Sequence, residues 1–89
     1  MKRRDRLQVI NDILKAIEEK NGKIKPTHIL YKSNLSHQMM EEYLAELIQK
    51  KFVEEETKSG KTYKLTKKGF EYINKYKLIE DFINTFDLN

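Results

Sequence analysis

The residues with the clearest chemical role are lysines in the second half of the chain. Residues 57–69 carry five Lys and no acidic residue, and Lys58 and Lys61 flank the dipeptide Ser59-Gly60. Ser and Gly are typical of turns, and ammonium groups on such a turn can contact nucleic-acid phosphates without reading the base sequence. The alternative is an ordinary hairpin whose lysines are solvated.

A second set of polar residues lies on one face of a predicted helix upstream of this turn. Ser36 suits the N-cap of that helix, and the N-terminus of a helix also offers backbone amides to a phosphate. Gln38 can form two hydrogen bonds with adenine. On an exposed helix face, a Gln is as often merely solvated. The residues alone leave both interpretations open.

Residue types that would support catalysis or metal binding are few. The chain has no Cys, which excludes disulfides and thiolate metal sites, and it has no glycine-rich phosphate loop. His28 and His37 lack a convincing carboxylate partner at ligand spacing, so His37 either contacts a phosphate or has no role. We therefore predict a protein that is not an enzyme and that uses no metal and no cofactor.

Charge is distributed unevenly along the 89 residues, whose net charge is +4 at pH 7. Residues 1–33 hold nine Lys or Arg against four acidic residues, whereas residues 34–56 hold six Glu against two Lys. Residues 1–6, MKRRDR, form either a basic arm that follows a phosphate backbone or a disordered, solubilising tail. They precede no apolar signal-peptide core, and no apolar run is long enough to cross a membrane. We therefore expect a cytoplasmic protein.

The elements that position these residues follow from hydrophobic periodicity and from capping residues. We predict one domain over residues 1–89, with helices at 4–20, 26–33, 37–51 and 66–86 and hairpin strands at 52–56 and 61–65. Asn34 tolerates the positive φ of a tight turn before the third helix. Thr66 suits the N-cap of the last helix. Phe70 and Ile73 of that helix suit the core of the domain itself.

Three segments resemble the small archaeal winged-helix DNA-binding proteins that include the 10a chromatin-associated group. They are THILYKSNLS (27–36), YLAEL (43–47) and YKLTKKG (63–69). The most specific parts are the Asn-Leu-Ser turn and the Leu-Thr-x-x-Gly entry to the last helix. The resemblance covers nearly the whole chain. It implies an α+β, mostly helical winged helix-turn-helix with a two-stranded wing and a C-terminal dimerisation helix.

In such proteins the third helix enters the major groove of duplex DNA, and the hairpin tip reaches the backbone or the minor groove. The resemblance implies DNA-contacting residues on both elements: Ser36, His37, Gln38, Glu41, Glu42, Lys58, Ser59, Gly60 and Lys61. Carboxylates near phosphates lower the affinity, although Glu can accept a hydrogen bond from cytosine N4. The chain is therefore either a sequence-selective reader of modest non-specific affinity or a binder dominated by its wing.

The last helix offers a second apolar face in addition to the one that the domain buries. Its residues follow spacings of four, three, four and three, typical of a helix–helix seam: Tyr72, Tyr76, Ile79, Ile83 and Phe86. An exposed stripe of this kind is rare in monomers, so we predict a twofold homodimer. Leu7 and Ile10 of the first helix are expected to join the interface. The alternative is that the last helix bends back onto its own domain.

Two functions of different classes remain open. The first is binding of double-stranded DNA as a homodimer, in a transcription regulator or a small chromatin-type protein. The second is a winged-helix module that binds another protein through its Glu-rich third helix. The expected partners are duplex DNA and a second copy of the chain, and no small-molecule ligand is evident.

Overall fold

The computed structural model describes residues 4–88. Its elements are α1 (Arg6–Glu19), α2 (Pro26–Ser33), α3 (His37–Gln49), β1 (Val53–Glu56), β2 (Thr62–Leu65) and α4 (Lys67–Thr85). The two strands are antiparallel, with Val53 opposite Leu65 and Glu56 opposite Thr62. The predicted α+β, mostly helical winged helix-turn-helix is confirmed, and each predicted element is present with bounds that differ by at most two residues.

Short polar side chains cap three of the helices, two of them at the predicted residues Ser36 and Thr66. The hydroxyl of Ser36 accepts a hydrogen bond from the Met39 amide, and the hydroxyl of Thr66 accepts one from the Gly69 amide, both at 3.2 Å. Asp5 caps α1 by accepting from the Gln8 amide at 2.8 Å. These caps fix where the chain turns from the preceding loop into each helix.

Helix α3 ends two residues earlier than predicted because Lys51 adopts a left-handed conformation, with φ at 69°. The amides of Phe52 and Lys51 donate to the carbonyl oxygens of Leu47 and Ile48, at 2.9 and 3.1 Å. This pair of bonds is a Schellman motif, which satisfies the last carbonyl groups of a helix. It turns the chain directly into β1.

A single core joins the three N-terminal helices to the sheet. Its most deeply buried side chains come from α1, α2, α3 and the strands: Ile13, Leu14, Ile17, Ile29, Met40, Leu47 and Val53. Ile10 belongs to the same stripe of α1 and is only 6% exposed. The prediction that Ile10 joins a dimer interface is therefore wrong, whereas Leu7, one turn earlier, remains 50% exposed.

An isolated β-bridge joins the segment before α2 to the hairpin sheet. Ile24 forms an antiparallel bridge with Tyr63, and the Tyr63 amide donates to the Ile24 carbonyl oxygen at 3.2 Å. The Gly22 amide donates to the Tyr63 carbonyl oxygen at 3.0 Å, and Gly22 has the positive φ of 84° expected at the end of a helix. The side chain of Asn21 accepts from the Leu65 amide at 2.7 Å. The end of α1 is thereby fastened to β2.

Helix α4 packs on the rest of the domain through its first half. Tyr72 lies edge-on against Phe52, with 5.8 Å between the ring centroids, and Ile73 is partly buried against the core. Phe70 is 38% exposed, so the prediction that it packs in the core is wrong. Phe70 lies one residue after the buried Gly69 and therefore on a different side of the helix. Within residues 4–88, every helix falls short of the length and apolar character that a membrane span requires.

Candidate nucleic-acid interface

The outer face of α3 presents the polar residues that the sequence singles out. Ser36, His37, Gln38, Glu41 and Glu42 are all exposed. Their orientation is fixed because the opposite face of the helix packs in the core through Met40, Leu44 and Leu47. The outer face can therefore meet a partner without rearrangement of the helix.

The turn that leads into α3 is held by a long-range contact to Arg4. Asn34 has the positive φ of 53° that the sequence predicts. The Arg4 guanidinium donates to the carbonyl oxygens of Ser33 and Asn34, at 2.6 and 3.2 Å, and pairs with Asp12 at 2.8 Å. This contact ties the start of the described chain to the turn between α2 and α3.

Arg6 is also engaged within the domain. Its guanidinium pairs with Glu46 of α3 and lies 5.9 Å from the centroid of the Tyr43 ring. Hydrogen bonds from Lys50 and then from Arg6 hold the pKa of Glu46 below its usual value. The predicted basic arm over residues 1–6 therefore needs correction, since Arg4 and Arg6 bind the domain itself. Lys2 and Arg3 lie outside the described residues.

His37 has a carboxylate neighbour that was not expected from the sequence. Its Nε2 atom lies 3.6 Å from a carboxylate oxygen of Glu41, one turn along α3, and both side chains are well exposed. Among residues 4–88, no three His, Cys, Asp or Glu side chains are grouped in a way that could hold a metal ion. This pair is thus a surface contact on the outer face of α3.

The hairpin carries its available cations at the tip. Residues 57–61 are all exposed, and Gly60 has a φ of 103°, a conformation that favours glycine. Lys64 is occupied within the sheet, 3.6 Å from Glu54 and 3.5 Å from Glu56. Within the described part of the chain, Lys58 and Lys61 form no ion pair, so both ammonium groups remain available to an anionic partner.

A groove runs between α3 and the hairpin. His37, Glu41 and Ala45 line it from the helix, and Glu55, Lys61 and Tyr63 line it from the hairpin. Burial, and then the negative charges of Glu55 and Glu41, raise the pKa of Tyr63 above its usual value. The groove therefore holds two carboxylates, those of Glu41 and Glu55, and one ammonium group, that of Lys61.

The match to known proteins agrees with this geometry. Residues 3–84 match the family described as winged helix-turn-helix. The chain belongs to this family. The hairpin is thus the wing, and α3 is the second helix of the helix-turn-helix.

Two archaeal proteins are similar to this winged helix. An uncharacterized protein of Methanocaldococcus jannaschii is 36% identical over 67 residues, which are 75% of this chain and 29% of that protein. The chain thus spans less than a third of the length of this curated relative. The crystal structure of Sso10a-2, a DNA-binding protein from Sulfolobus solfataricus, superposes with a TM-score of 0.80 at 22% identity, over 96% of this chain and 88% of that one. The predicted likeness to small archaeal winged helices is confirmed.

Two lysines beside the wing were not predicted from the sequence. Because Ile24 bridges Tyr63 in antiparallel register, Lys23 comes opposite Lys64 and Lys25 opposite Thr62. Both added lysines are exposed. The alternation Lys-Ile-Lys before Pro26 indicates an extended segment, but only the fold reveals that it lies against the wing.

Lys68, in contrast, is engaged inside the domain. Its ammonium donates to the Lys50 carbonyl oxygen at 2.8 Å and lies 4.4 Å from the centroid of the Phe52 ring. It therefore closes the C-terminal end of α3 and is less available to a phosphate than the lysines of the wing.

The far half of α4 carries an apolar surface that is wider than predicted. The predicted seam residues Tyr72, Tyr76 and Ile83 are partly buried, and Ile79 and Phe86 are exposed. Leu78 and Phe82 are also 67% and 58% exposed, although they fall outside the seam spacing. Leu78, Phe82 and Phe86 follow one another at four-residue intervals. This spacing is visible in the sequence, but the predicted seam of alternating four- and three-residue steps leaves out Leu78 and Phe82.

Near the base of α4, the same surface continues into a groove. Leu7 of α1, Phe52 and the helix residues Tyr72, Tyr76 and Ile79 line it. Burial raises the pKa of Tyr72 to about 12, and the Tyr72 ring stacks on that of Tyr76 at 6.1 Å. Four of the predicted interface residues, Leu7, Tyr72, Tyr76 and Ile79, therefore lie together on one side of the domain.

Proposed function

We propose that this winged helix binds double-stranded DNA through α3 and the wing. The groove that both elements line supports this proposal most directly, since it sets the outer face of α3 beside Lys61 of the wing. A major groove of B-DNA admits an α-helix, and an element beside that helix can then reach the flanking phosphates. The likeness of the fold to Sso10a-2, a DNA-binding protein, supports the same assignment.

The distribution of charge assigns different roles to the wing and to α3. Lys58 and Lys61 of the wing, together with Lys23 and Lys25 beside it, contact phosphates and supply affinity. Helix α3 carries Glu41 and Glu42 and supplies hydrogen bonds to base edges rather than charge neutralisation. Gln38 matches adenine, and either Glu matches cytosine N4. This division favours a sequence-selective DNA-binding protein over a chromatin-type protein that binds every duplex equally.

The proposed assembly is a homodimer formed through α4. The exposed apolar residues of its far half include Ile79, which also lines the groove at its base. Exposed apolar residues grouped in this way are unusual on a monomer. A twofold dimer presents two copies of α3 to DNA, so its binding sites consist of paired half-sites about one helical turn, or a multiple of it, apart. Such a protein acts as a transcription regulator or as a small chromatin-type protein, without enzymatic activity or cofactor.

Chemical-shift mapping tests which face contacts DNA. A random-sequence duplex is added to the ¹⁵N-labelled chain at low salt, and amide shifts are followed residue by residue. Binding through the proposed site moves the amides of residues 36–42 and 57–61 and leaves the polar face of α4 unchanged. Shifts confined to α4, or the absence of any shift, would contradict the proposal.

One observation favours a protein partner as the alternative function. Glu41 and Glu55 line the groove itself, and Glu42, Glu54 and Glu56 are nearby in the sequence, so a basic protein surface would also complement this side of the domain. The two functions respond oppositely to substitution. Glu41→Gln with Glu42→Gln weakens capture of a basic partner, whereas it raises the non-specific affinity for DNA by removing repulsion from phosphates.

A further inference from the structure

A polar groove between α1 and α4 lies apart from both the nucleic-acid interface and the apolar surface of α4. Lys15 and Glu18 line it from α1, and Lys77, Glu80 and Asp81 line it from α4. Its carboxylates outnumber its ammonium groups by three to two. Within residues 4–88, none of these five side chains forms an ion pair, although charges of both signs line the same groove.

Asn11 also lines this groove. The residue is 4% exposed, and its Oδ1 atom has no hydrogen-bond partner among the described residues. A buried polar atom without a partner is unfavourable, and in a native structure it calls for an explanation such as a bound group. The missing partner must be a donor, because a carbonyl oxygen can only accept.

The residues around Asn11 indicate which chemical group could supply that donor. The excess of carboxylates favours a cation, and the described residues hold no cluster of carboxylates and histidines that could ligate a metal ion. An amine cation needs no such cluster, because each N–H bonds to a single acceptor. Asn11 and Glu18 are two turns apart on α1, about 10 Å along the helix axis. A linear triamine can span a similar length.

We propose that the groove between α1 and α4 binds a linear aliphatic polyamine, with one ammonium on the Oδ1 atom of Asn11 and others on the carboxylates of Glu18, Glu80 or Asp81. The positive net charge of the chain, +4, repels polycations in general. Saturable binding of one polyamine therefore requires a local site. The proposal is independent of whether α3 and the wing bind DNA.

Isothermal titration with spermidine at low salt tests the site, together with chemical-shift mapping. One spermidine is expected to bind each chain, with shifts at the Asn11 side chain and at residues 77–81. Losing one hydrogen bond to a charged group is expected to lower the affinity by about tenfold. Asn11→Leu should lower the affinity for spermidine in this way. It should not lower the stability of the fold, because it also removes the unpartnered oxygen.

Matched substitutions separate this site from general attraction. Glu80→Gln with Asp81→Asn removes two surface charges from the groove and should abolish saturable binding. Glu41→Gln with Glu42→Gln removes the same charge from the outer face of α3 and should leave binding intact. Ethylenediamine, which is too short to span two helical turns, should bind more weakly than spermidine.

Several results would overturn the proposal. One is the absence of saturable binding in the wild-type chain. Another is an affinity for spermidine that is the same in the wild type as in the Asn11→Leu and Glu80→Gln/Asp81→Asn variants. A third is an identical set of shifts with magnesium chloride at matched ionic strength, which would indicate general charge screening rather than hydrogen bonds from an amine.

Discussion

Gly69 of α4 lies directly against the backbone carbonyl oxygen of Phe52. A Cβ atom at position 69 would overlap that oxygen and would crowd the side chain of Leu65. The same carbonyl oxygen accepts a hydrogen bond from the Thr66 amide at 3.1 Å, which fixes its position. The absence of a side chain at Gly69 therefore lets α4 approach the end of α3 and the start of the wing.

Gly69→Ala is expected to destabilise the domain despite the better helix propensity of Ala. Propensity alone would stabilise the helix by about 1 kcal/mol, whereas overpacking against a fixed backbone atom typically costs about 1–3 kcal/mol. We expect a net loss of up to about 2 kcal/mol in urea denaturation. The exposed Lys67→Ala, two residues earlier in α4, is the control and should change the stability little. A stabilised Gly69→Ala variant would show that α4 is not held at this distance.

Lys51→Gly is expected to stabilise the domain. Lys51 occupies the left-handed position that follows α3, with φ at 69°, and this conformation costs a non-glycine residue about 1 kcal/mol or more. Glycine removes that cost while both hydrogen bonds of the Schellman motif remain. Urea denaturation should show a gain of up to about 1 kcal/mol.

Lys50→Gly provides the matched control for this substitution. Lys50 has a φ of −87°, so glycine there relieves no strain and only increases the freedom of the unfolded chain. We expect Lys50→Gly to be destabilising. Equal effects of the two substitutions would contradict the role of the positive φ.

The seam on α4 is tested by placing a charge within it. Ile79→Lys puts an ammonium group into the apolar surface of the proposed dimer, where its burial without a partner is unfavourable. Sedimentation equilibrium should give twice the chain mass for the wild type and the chain mass for the variant. Asn74→Lys adds the same charge to the polar face of the same helix and should leave the dimer intact. A wild-type monomer, or a dimeric Ile79→Lys variant, would rule out this seam.

Local sequence signals predicted the elements well because caps and periodicity act within a few residues. Ser36 and Thr66 cap their helices as expected, and Asn34 adopts its positive φ. The errors lie where distant segments meet. Nothing near Arg4 or Arg6 in the sequence indicates Asp12, the α2–α3 turn or Glu46 as partners. Helical spacing groups Ile10 with Leu7, but only packing decides that Ile10 enters the core.

The candidate site shows the same division. The outward direction of Gln38, Glu41 and Glu42 follows from the periodicity of α3, so it was predictable. The position of Lys23 and Lys25 beside the wing depends on the bridge between Ile24 and Tyr63, two residues 39 positions apart in the sequence. The availability of each lysine likewise depends on tertiary contacts, which occupy Lys64 and Lys68 but leave Lys58 and Lys61 available.

The salt dependence of DNA binding tests the central claim most directly. Fluorescence anisotropy with a labelled random duplex is recorded for the wild type and for Lys58→Ala/Lys61→Ala over a series of salt concentrations. Each phosphate contact contributes about 0.9 to the slope of log K against log salt, so the double variant should bind more weakly with a slope shallower by about 2. Lys15→Ala/Lys77→Ala removes the same charge from the α1–α4 groove and should keep the wild-type slope. No binding at low salt, or equal slopes for the wild type and the wing variant, would contradict DNA binding through α3 and the wing.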